Sequence, residues 1–350
     1  MLNHQPDRNR AMKNMMSALF VVAVSAALSL SSSLSAFAET AASDSSVNPS
    51  GKSPIKVFIL AGQSNMEGQA VVDGEGPDYN DGKGTLAMLM RDPVKAPLFK
   101  QLKNADGKWA VRDDVWVRYQ REDAALLAGP LALGYSVYGD EHHFGVELPF
   151  GHVVGDHLTN QVLIIKTAWG GKSLNVDFRS PSSGGKVGHY YTQMVHDIQE
   201  GLANIKKDFP AYDEGGYELA GFVWWHGWND FCDEKAVPVY EQNLVNLIND
   251  IRKDLHAPNL PVIIGEFTGP WRADSKDLPK EALAIRQAQA AVAARPEFKK
   301  SLRYVKTADF VRKAEDSPNT SHGHHEFGNA ETYFLVGDAL GKSMTELLSK

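Results

Sequence analysis

The chain has 350 residues, a formal net charge of −7 at pH 7 and one cysteine, Cys232. An acidic protein is a poor partner for nucleic acid or an anionic membrane, because both carry negative charge. A single cysteine excludes an internal disulfide, so the hydrophobic core must hold the fold alone, and about 300 residues are enough for that.

The N-terminus predicts a secretory signal peptide over residues 1–38. Three basic residues precede an apolar stretch from about Met16 to Leu30, and Ala36-Phe37-Ala38 has the small-x-small pattern of a signal peptidase site. We expect cleavage after Ala38 and a secreted or periplasmic protein. No membrane anchor is expected, because the apolar stretch is shorter than the roughly 20 residues of a membrane span. Residues 39–53, rich in serine and alanine, predict a flexible leader.

Residues 54–350 predict one α/β domain. Short apolar runs predict buried strands, and helical patterns lie between or after several of them. The runs are 55–61, 162–168, 219–225, 261–267 and 303–309, and the helical patterns are 191–205, 239–255, 279–294 and 330–348. Such alternation implies a mostly parallel five-stranded sheet between two helical layers, a three-layer α/β/α sandwich. Residues 69–150, rich in Gly, Asp and Pro, predict a long insertion over one end of the sheet.

Polar or glycine-rich segments follow three of these strands. Ser64, in Gly62-Gln63-Ser64-Asn65, ends the first strand, where open α/β sheets bind ligands, and it is the candidate nucleophile. Gly170-Gly171 ends the second, and paired glycines form either a tight turn or a backbone surface close to a ligand.

The third strand ends in His226-Gly227-Trp228-Asn229. The Asn229 amide is suited to bind the negative charge that develops in acyl transfer. His226 is either a core histidine with its hydrogen bonds satisfied or a site residue, and Trp228 either packs or stacks on a sugar ring.

Three histidines, His322, His324 and His325, follow the last predicted strand. They permit two interpretations, a zinc site or a general base for a serine. The spacing matches no familiar zinc ligand set, so we expect no metal and no cofactor. A serine hydroxyl is a weak nucleophile until a positioned histidine takes its proton, and the sheet can bring this cluster beside Ser64.

The pentapeptide Gly62-Gln63-Ser64-Asn65-Met66 resembles the first block of the SGNH hydrolases, in the carbohydrate esterase branch that includes sialate O-acetylesterases and acetylxylan esterases. The resemblance implies a flavodoxin-like sandwich, no metal and a serine esterase. It assigns Ser64 as the nucleophile, with an oxyanion hole made by Ser64, Gly171 and Asn229. Gln63, His226 and Trp228 are assigned to substrate binding, although His226 and Trp228 replace the Gln and Glu that many members have there.

The last block departs from the Asp-x-x-His pattern of the family, because His322 or Ser321 stands where the aspartate is expected. His325 is the preferred base and His324 the alternative. The orienting group is Asp316, Asp309, a backbone carbonyl or none.

The predicted function is therefore a secreted serine esterase that removes acetyl groups from carbohydrates, with an acetylated carbohydrate as its partner. Two alternatives stay open: a lipolytic or aryl esterase of the same superfamily, and a carbohydrate-binding protein without catalysis. The sequence leaves open the sugar, the acetylated position and the oligomeric state.

Overall fold

The computed structural model describes residues 53–349. The signal peptide predicted for residues 1–38, and all but the last residue of the predicted leader, lie outside the described residues. None of the helices within residues 53–349 has the length and hydropathy needed to cross a bilayer.

The strands of the described chain form one large sheet and one small one. They are β1 (Ile55–Gly62), β2 (Ala70–Val71), β3 (Arg112–Tyr119), β4 (Leu127–Leu131), β5 (His143–Phe144), β6 (Val162–Ala168), β7 (Tyr217–Trp225), β8 (Val262–Gly265) and β9 (Leu302–Val305). The large sheet has the order β4-β3-β6-β1-β7-β8-β9, and β2 pairs with β5. In the large sheet all neighbours are parallel except β3 and β4.

Long helices cover both faces of the sheet, and short ones lie in the loops. The α-helices are α1 (Ser64–Glu67), α2 (Leu86–Leu89), α3 (Glu147–His157), α4 (His189–Ala203), α5 (Ile205–Asp208), α6 (Trp228–Phe231), α7 (Tyr240–Asp254), α8 (Lys280–Ala294) and α9 (Ala330–Leu348). Short 3₁₀ helices span Pro77–Gly82, Ala96–Leu102, Pro181–Ser183, Val237–Val239, Ala308–Phe310, Ala314–Asp316 and Gly323–Gly328.

Two hydrophobic clusters lie on opposite faces of the sheet. On one face, α4, α7 and α8 bury their apolar stripes, which in α7 include Leu244, Leu247 and Ile251 at the spacing of an amphipathic helix. On the other face, α3 and α9 pack on the sheet. The α9 helix begins at Asn329, whose side chain accepts hydrogen bonds from the first turn, as an N-cap does. The prediction of an α/β/α sandwich with a mostly parallel sheet is confirmed.

The sheet has two more strands than the five predicted. All five apolar runs form strands, and the additional β3 and β4 come from the segment 69–150 that was interpreted as an insertion. β3 begins with Arg112-Asp113-Asp114, and β4 contains Pro130, so neither is an apolar run. Pro130 is compatible with β4 because β4 is an edge strand, where a missing N–H costs little.

The register of the central strands determines where the loops meet. Gly62 at the end of β1 pairs with Ala168 of β6 and with Trp225 of β7. The three segments that follow these strands therefore start at one level of the carboxyl edge. Because strand order reverses at β1, this is the switch point at which ligands bind in open α/β sheets.

Candidate active site

Ser64 begins α1 directly after β1, in a segment that we call the nucleophile turn (residues 62–68). A Cβ on Gly62 would lie 2.2 Å from the carbonyl oxygen of Trp225, so only glycine allows this approach. The first N–H groups of a helix have no partner inside it, and the Ser64 N–H has no hydrogen bond among residues 53–349. Ser64 is 8% exposed. Its N–H is thus available beside a hydroxyl that solvent still reaches.

The loop after β6 places Gly170 against the nucleophile turn. A Cβ on Gly170 would lie 3.6 Å from the Ser64 Cβ and 3.0 Å from Oε2 of Glu67. Gly171 has a φ of +72°, and no atom lies within 4 Å of the place where its Cβ would be. Gly171, the predicted oxyanion-hole glycine, therefore borders open space, while Gly170 leaves no room for a side chain between itself and Glu67.

Asn229, in the first turn of α6, connects the loop after β7 with the loop after β6. Its Nδ2 donates to the carbonyl oxygen of Gly171 at 2.9 Å, and its Oδ1 accepts from Nε2 of Gln63 at 3.2 Å. An amide nitrogen has two hydrogens, so one N–H of Asn229 stays free. The role of Asn229 as an oxyanion donor stays a prediction.

Gln63 lies beneath the site and is 4% exposed. Its Oε1 accepts from the N–H groups of Gly227 and Trp228 at 3.2 and 3.1 Å, and its Nε2 holds Asn229. Gln63, which follows β1, thus caps the start of α6. We predicted Gln63 to bind substrate, and the structure places its amide in contacts that orient Asn229.

His226 is buried at the end of β7 and contacts the loop after β6. Its Nε2 lies 2.9 Å from the carbonyl oxygen of Lys172, and burial lowers the pKa of His226 to about 4. The ring is therefore neutral and donates to that carbonyl. Asp230 holds the same loop by accepting from the N–H groups of Leu174 and Asn175 at 2.7 and 2.8 Å, and burial raises the pKa of Asp230 to about 7. The side chains of His226 and Asp230 therefore hold the loop after β6 in place.

Trp228 lies in an aromatic cluster at the rim of the site. Its ring is stacked on Trp271 with centroids 6.0 Å apart and lies 5.6 Å from the ring of His324. Phe231 and Phe267 complete the cluster. Trp228 and Trp271 are both half-buried. Trp228, assigned to substrate binding, therefore both packs against aromatic rings and keeps part of its surface open.

The segment before α9, which we call the histidine turn (residues 322–328), is tied to the nucleophile turn through Asn65. Nδ2 of Asn65 donates to the carbonyl oxygen of His324 at 3.2 Å. The hydroxyl of Tyr333, in α9, donates to Oδ1 of Asn65 at 2.6 Å and lies 3.3 Å from the carbonyl oxygen of His325. The residue next to Ser64 thus holds the main chain of His324 directly, and Tyr333, which donates to Asn65, also contacts the main chain of His325.

His325 is half-buried, and its ring lies 4.1 Å from that of His324, centroid to centroid. Burial, together with the neighbouring His324 and His322, lowers the pKa of His325 to about 4. His325 is therefore neutral at pH 7 and able to accept a proton. No hydrogen bond joins the Ser64 hydroxyl to a histidine among residues 53–349, and such bonds are often long in unliganded enzymes.

The two aspartates considered as orienting acids lie at the surface. Asp309 is exposed, and its carboxylate is 4.0 Å from the guanidinium of Arg272. Asp316 is exposed, and its carbonyl accepts from Asn329. Within the described chain, no carboxylate lies within 4 Å of a ring nitrogen of His325. The ring of His325 therefore has no orienting carboxylate in the described structure.

Glu67 is a buried carboxylate of the nucleophile turn that we did not predict. Its Oε1 accepts from the hydroxyl of Tyr119 at 3.1 Å, and the N–H of Gly170 also points at the carboxylate. Burial raises the pKa of Glu67, and these hydrogen bonds oppose the rise. Glu67 thus fixes Gly170 over Ser64. It stands one helical turn from Ser64 in the sequence, a spacing that places both on one side of α1.

Beneath the nucleophile turn lies a fully buried ion pair. Nζ of Lys166 in β6 lies 2.8 Å from Oε2 of Glu147 and donates to the carbonyl oxygen of Glu67 at 2.9 Å. Both charged side chains are fully buried. The ammonium group therefore stabilises the last carbonyl of α1, the helix that carries Ser64.

One group in the described chain has the composition of a metal site. Ligand atoms of His196, Asp197 and Glu200, in α4, lie within 4.8 Å of one another, whereas the three histidines of the histidine turn form no such group. Nη2 of Arg118 lies 3.2 Å from Oε2 of Glu200. Because this guanidinium already neutralises Glu200, the group is a poor site for a cation.

Comparison with known proteins identifies the family. Residues 54–333 match the family described as carbohydrate esterase, sialic acid-specific acetylesterase. The chain belongs to this family. It is a carboxylic ester hydrolase of the carbohydrate acetylesterase type, and the predicted resemblance to the carbohydrate esterases is confirmed.

Individual relatives agree with this family. A probable carbohydrate esterase of Arabidopsis thaliana is 25% identical over 214 residues, which cover 60% of this chain and 68% of that protein. The X-ray structure of a protein from Arabidopsis thaliana has a TM-score of 0.52 at 18% identity and covers 84% of this chain and 99% of that one. The crystal structure of NanS has a TM-score of 0.52 at 13% identity, with coverages of 85% and 98%. At these identities the two structures establish a shared fold.

Proposed function

We propose that this carbohydrate esterase is a secreted serine enzyme that removes O-acetyl groups from carbohydrates through an acetyl-enzyme intermediate. One observation supports this most directly. The free N–H of Ser64, the free N–H of Asn229 and the neutral His325 all belong to loops at one edge of the sheet, joined by Asn65 and Gln63. These are the parts that acyl transfer requires.

In the first step, the Ser64 oxygen attacks the acetyl carbonyl carbon while His325 takes the hydroxyl proton. The carbonyl oxygen becomes negative and accepts hydrogen bonds from the N–H groups of Ser64 and Gly171 and from the Asn229 amide. The bond to the sugar oxygen then breaks, and His325 returns its proton to that oxygen.

In the second step, His325 takes a proton from water, and the hydroxide oxygen attacks the acetyl carbon bound to Ser64. The same donors bind the oxyanion. The bond between the acetyl carbon and the Ser64 oxygen breaks, the Ser64 oxygen regains the proton from His325, and acetic acid leaves and ionises to acetate in the solvent. No charge enters or leaves the site permanently, which agrees with a buried site built from neutral donors.

The test is acetate release from acetylated xylan and from O-acetylated sialic acid. We expect Ser64→Ala to lower kcat by at least roughly 1,000-fold, because the oxyanion hole alone retains only part of the catalysis. Ser275→Ala is the control, since its side chain takes part in no hydrogen bond in the described structure. Equal acetate release by wild type and Ser64→Ala overturns the mechanism.

Two other outcomes would change the proposal in different ways. A clear preference for octanoyl over acetyl esters indicates a lipolytic esterase. Carbohydrate binding without turnover, even at high protein concentration, indicates a protein that lost catalysis. Secretion is tested separately, by expressing the full chain in a bacterium and determining the N-terminus of the exported protein, which we expect to start after Ala38.

A further inference from the structure

We propose that Glu326 is a positioning residue for catalysis: its buried carboxyl group holds the histidine turn against the nucleophile turn and replaces the aspartate that the histidine lacks. This inference rests on the proposed function, since the group to be positioned is the general base. Glu326 itself touches neither substrate nor the reacting atoms.

The contacts of Glu326 connect three loops. Its Oε1 accepts from Nδ2 of Asn65 at 3.1 Å and from the hydroxyl of Thr268 at 2.5 Å. Asn65 follows the nucleophile, and Thr268 follows β8. The same Nδ2 of Asn65 also holds the carbonyl of His324. The Glu326 carboxyl oxygen therefore positions the Asn65 amide, and the Asn65 amide in turn positions the main chain of His324.

The backbone of the histidine turn is strained where Glu326 lies. Glu326 and Phe327 have φ values of +51° and +56°, in the left-handed region that costs non-glycine residues roughly 1 kcal/mol or more. The surrounding contacts must offset this cost for the conformation to persist. The hydrogen bonds of Glu326 and the carbonyl contacts of His324 and His325 offset this cost. Glu326 therefore stabilises the conformation of the turn in addition to packing in it.

The carboxyl group is also poorly solvated. It is fully buried, and its Oε2 has no hydrogen-bond partner in the described structure. Burial raises the pKa of Glu326 to about 8, against the opposing effects of the Thr268 hydroxyl, the Arg286 guanidinium in α8 and the nearby backbone of Gly269. The titratable groups that act on it are Arg286 from α8 and Tyr333 from α9, and α1 contributes the neutral Asn65. At pH 7 Glu326 is thus protonated, and above pH 8 it becomes a buried charge without a cationic partner in contact.

Glutamine separates the two properties of Glu326. It keeps an Oε1 that accepts from Asn65 and Thr268, and it does not ionise. Alanine removes the acceptor and leaves the Asn65 amide free to move. The pair of variants therefore distinguishes a group that positions by hydrogen bonding from one that acts by its charge.

The first experiment measures kcat and KM for acetyl ester hydrolysis from pH 6 to pH 10. We expect Glu326→Ala to lower kcat roughly 10- to 100-fold with KM changed less than about threefold, because misplacing a catalytic group by an ångström costs that much. Glu326→Gln is expected to retain kcat at pH 7 within about threefold, because its Oε1 still accepts from Asn65 and Thr268. Glu266→Gln, a buried carboxyl bound to Tyr304 and Thr307, is the matched control and keeps the wild-type profile.

A second experiment does not depend on turnover. The pKa of His325 is measured by NMR titration in Ser64→Ala and in the same variant carrying Glu326→Ala or Glu326→Gln. We expect a value near 4 with glutamate or glutamine and a rise toward 6.5 with alanine, because a released turn exposes the ring to water. Near-UV circular dichroism verifies that each variant is folded.

The outcomes separate this inference from the proposed function. A wild-type protein that releases no acetate refutes the function, while the NMR titration still tests the contact between the two turns. Unchanged kcat in a folded Glu326→Ala variant, a Glu326→Gln variant that loses as much kcat as Glu326→Ala, or a His325 pKa that alanine does not move would each overturn the role of Glu326.

Discussion

The nucleophile turn and the histidine turn satisfy their polar groups in different ways. In the nucleophile turn the buried side chains of Gln63 and Glu67 have partners in neighbouring strands and loops, and every residue in a left-handed conformation is a glycine. In the histidine turn two non-glycine residues are left-handed, and a carboxyl oxygen is buried without a partner. The first turn adopts only backbone conformations that its residues favour, whereas the second needs contacts from elsewhere to offset an unfavourable backbone conformation.

The largest effect is expected beneath the nucleophile turn. Lys166→Met would leave the Glu147 carboxylate charged and buried and the Glu67 carbonyl without its donor, since Lys166 contacts both. Breaking a buried pair in this way costs roughly 3–5 kcal/mol. Urea unfolding measures the loss. The double variant Lys166→Met with Glu147→Gln is the control and should be more stable than the single one; equal stability would contradict the role of the pair.

The second largest effect is expected for Asn229, whose amide connects the loops after β6 and β7. Asn229→Ala removes one oxyanion donor and the support of Gly171, so kcat for acetate release should fall by roughly 100- to 1,000-fold. The control is Asn246→Ala in α7, whose amide donates to Ser183 away from the site. A loss of less than threefold for Asn229→Ala would remove it from the oxyanion hole.

A third prediction concerns the acidic side of the pH profile. Because the pKa of His325 is lowered to about 4, the imidazole stays neutral and active until the pH falls to that range. A base with the ordinary pKa of 6.5 would lose roughly 30-fold in kcat/KM at pH 5. We expect less than about a twofold loss there, measured from pH 3.5 to 7 with circular dichroism at each pH. A fall in kcat/KM below about pH 6.5 would mean that the base is another group or a His325 exposed to solvent.

The smallest effects are expected at the two exposed aspartates that precede the histidine turn in the chain. Asp316→Asn and Asp309→Asn should change kcat by less than about twofold, since both carboxylates are exposed and exposed substitutions rarely matter. The measurement is kcat for acetate release at pH 7. A loss of 100-fold in either variant would mean that the turn closes over an aspartate during catalysis, and the contrast between the two turns would disappear.

The sequence predicts the nucleophile turn well for a physical reason. An apolar β-branched run followed by Gly62-Gln63-Ser64 defines a strand and its end through short-range preferences alone. The partners Gly170, Gly171 and Asn229 also follow apolar runs, so parallel pairing brings them together. The predictions missed β3, because its charges at Arg112 and Arg118 are neutralised only in the folded chain by aspartates and glutamates distant in sequence.

The sequence by itself therefore determined the family, the layered α/β architecture, the serine and the group of loops that surround it. The tertiary structure decided how the histidine is held. No periodicity or motif marks Glu326 as buried, because its burial depends on residues outside its own turn. Asn65 and Thr268 are 58 or more residues away in the sequence, and Tyr333 lies in the following helix. The left-handed conformation of Glu326 is intrinsically unfavourable, so only these contacts select it.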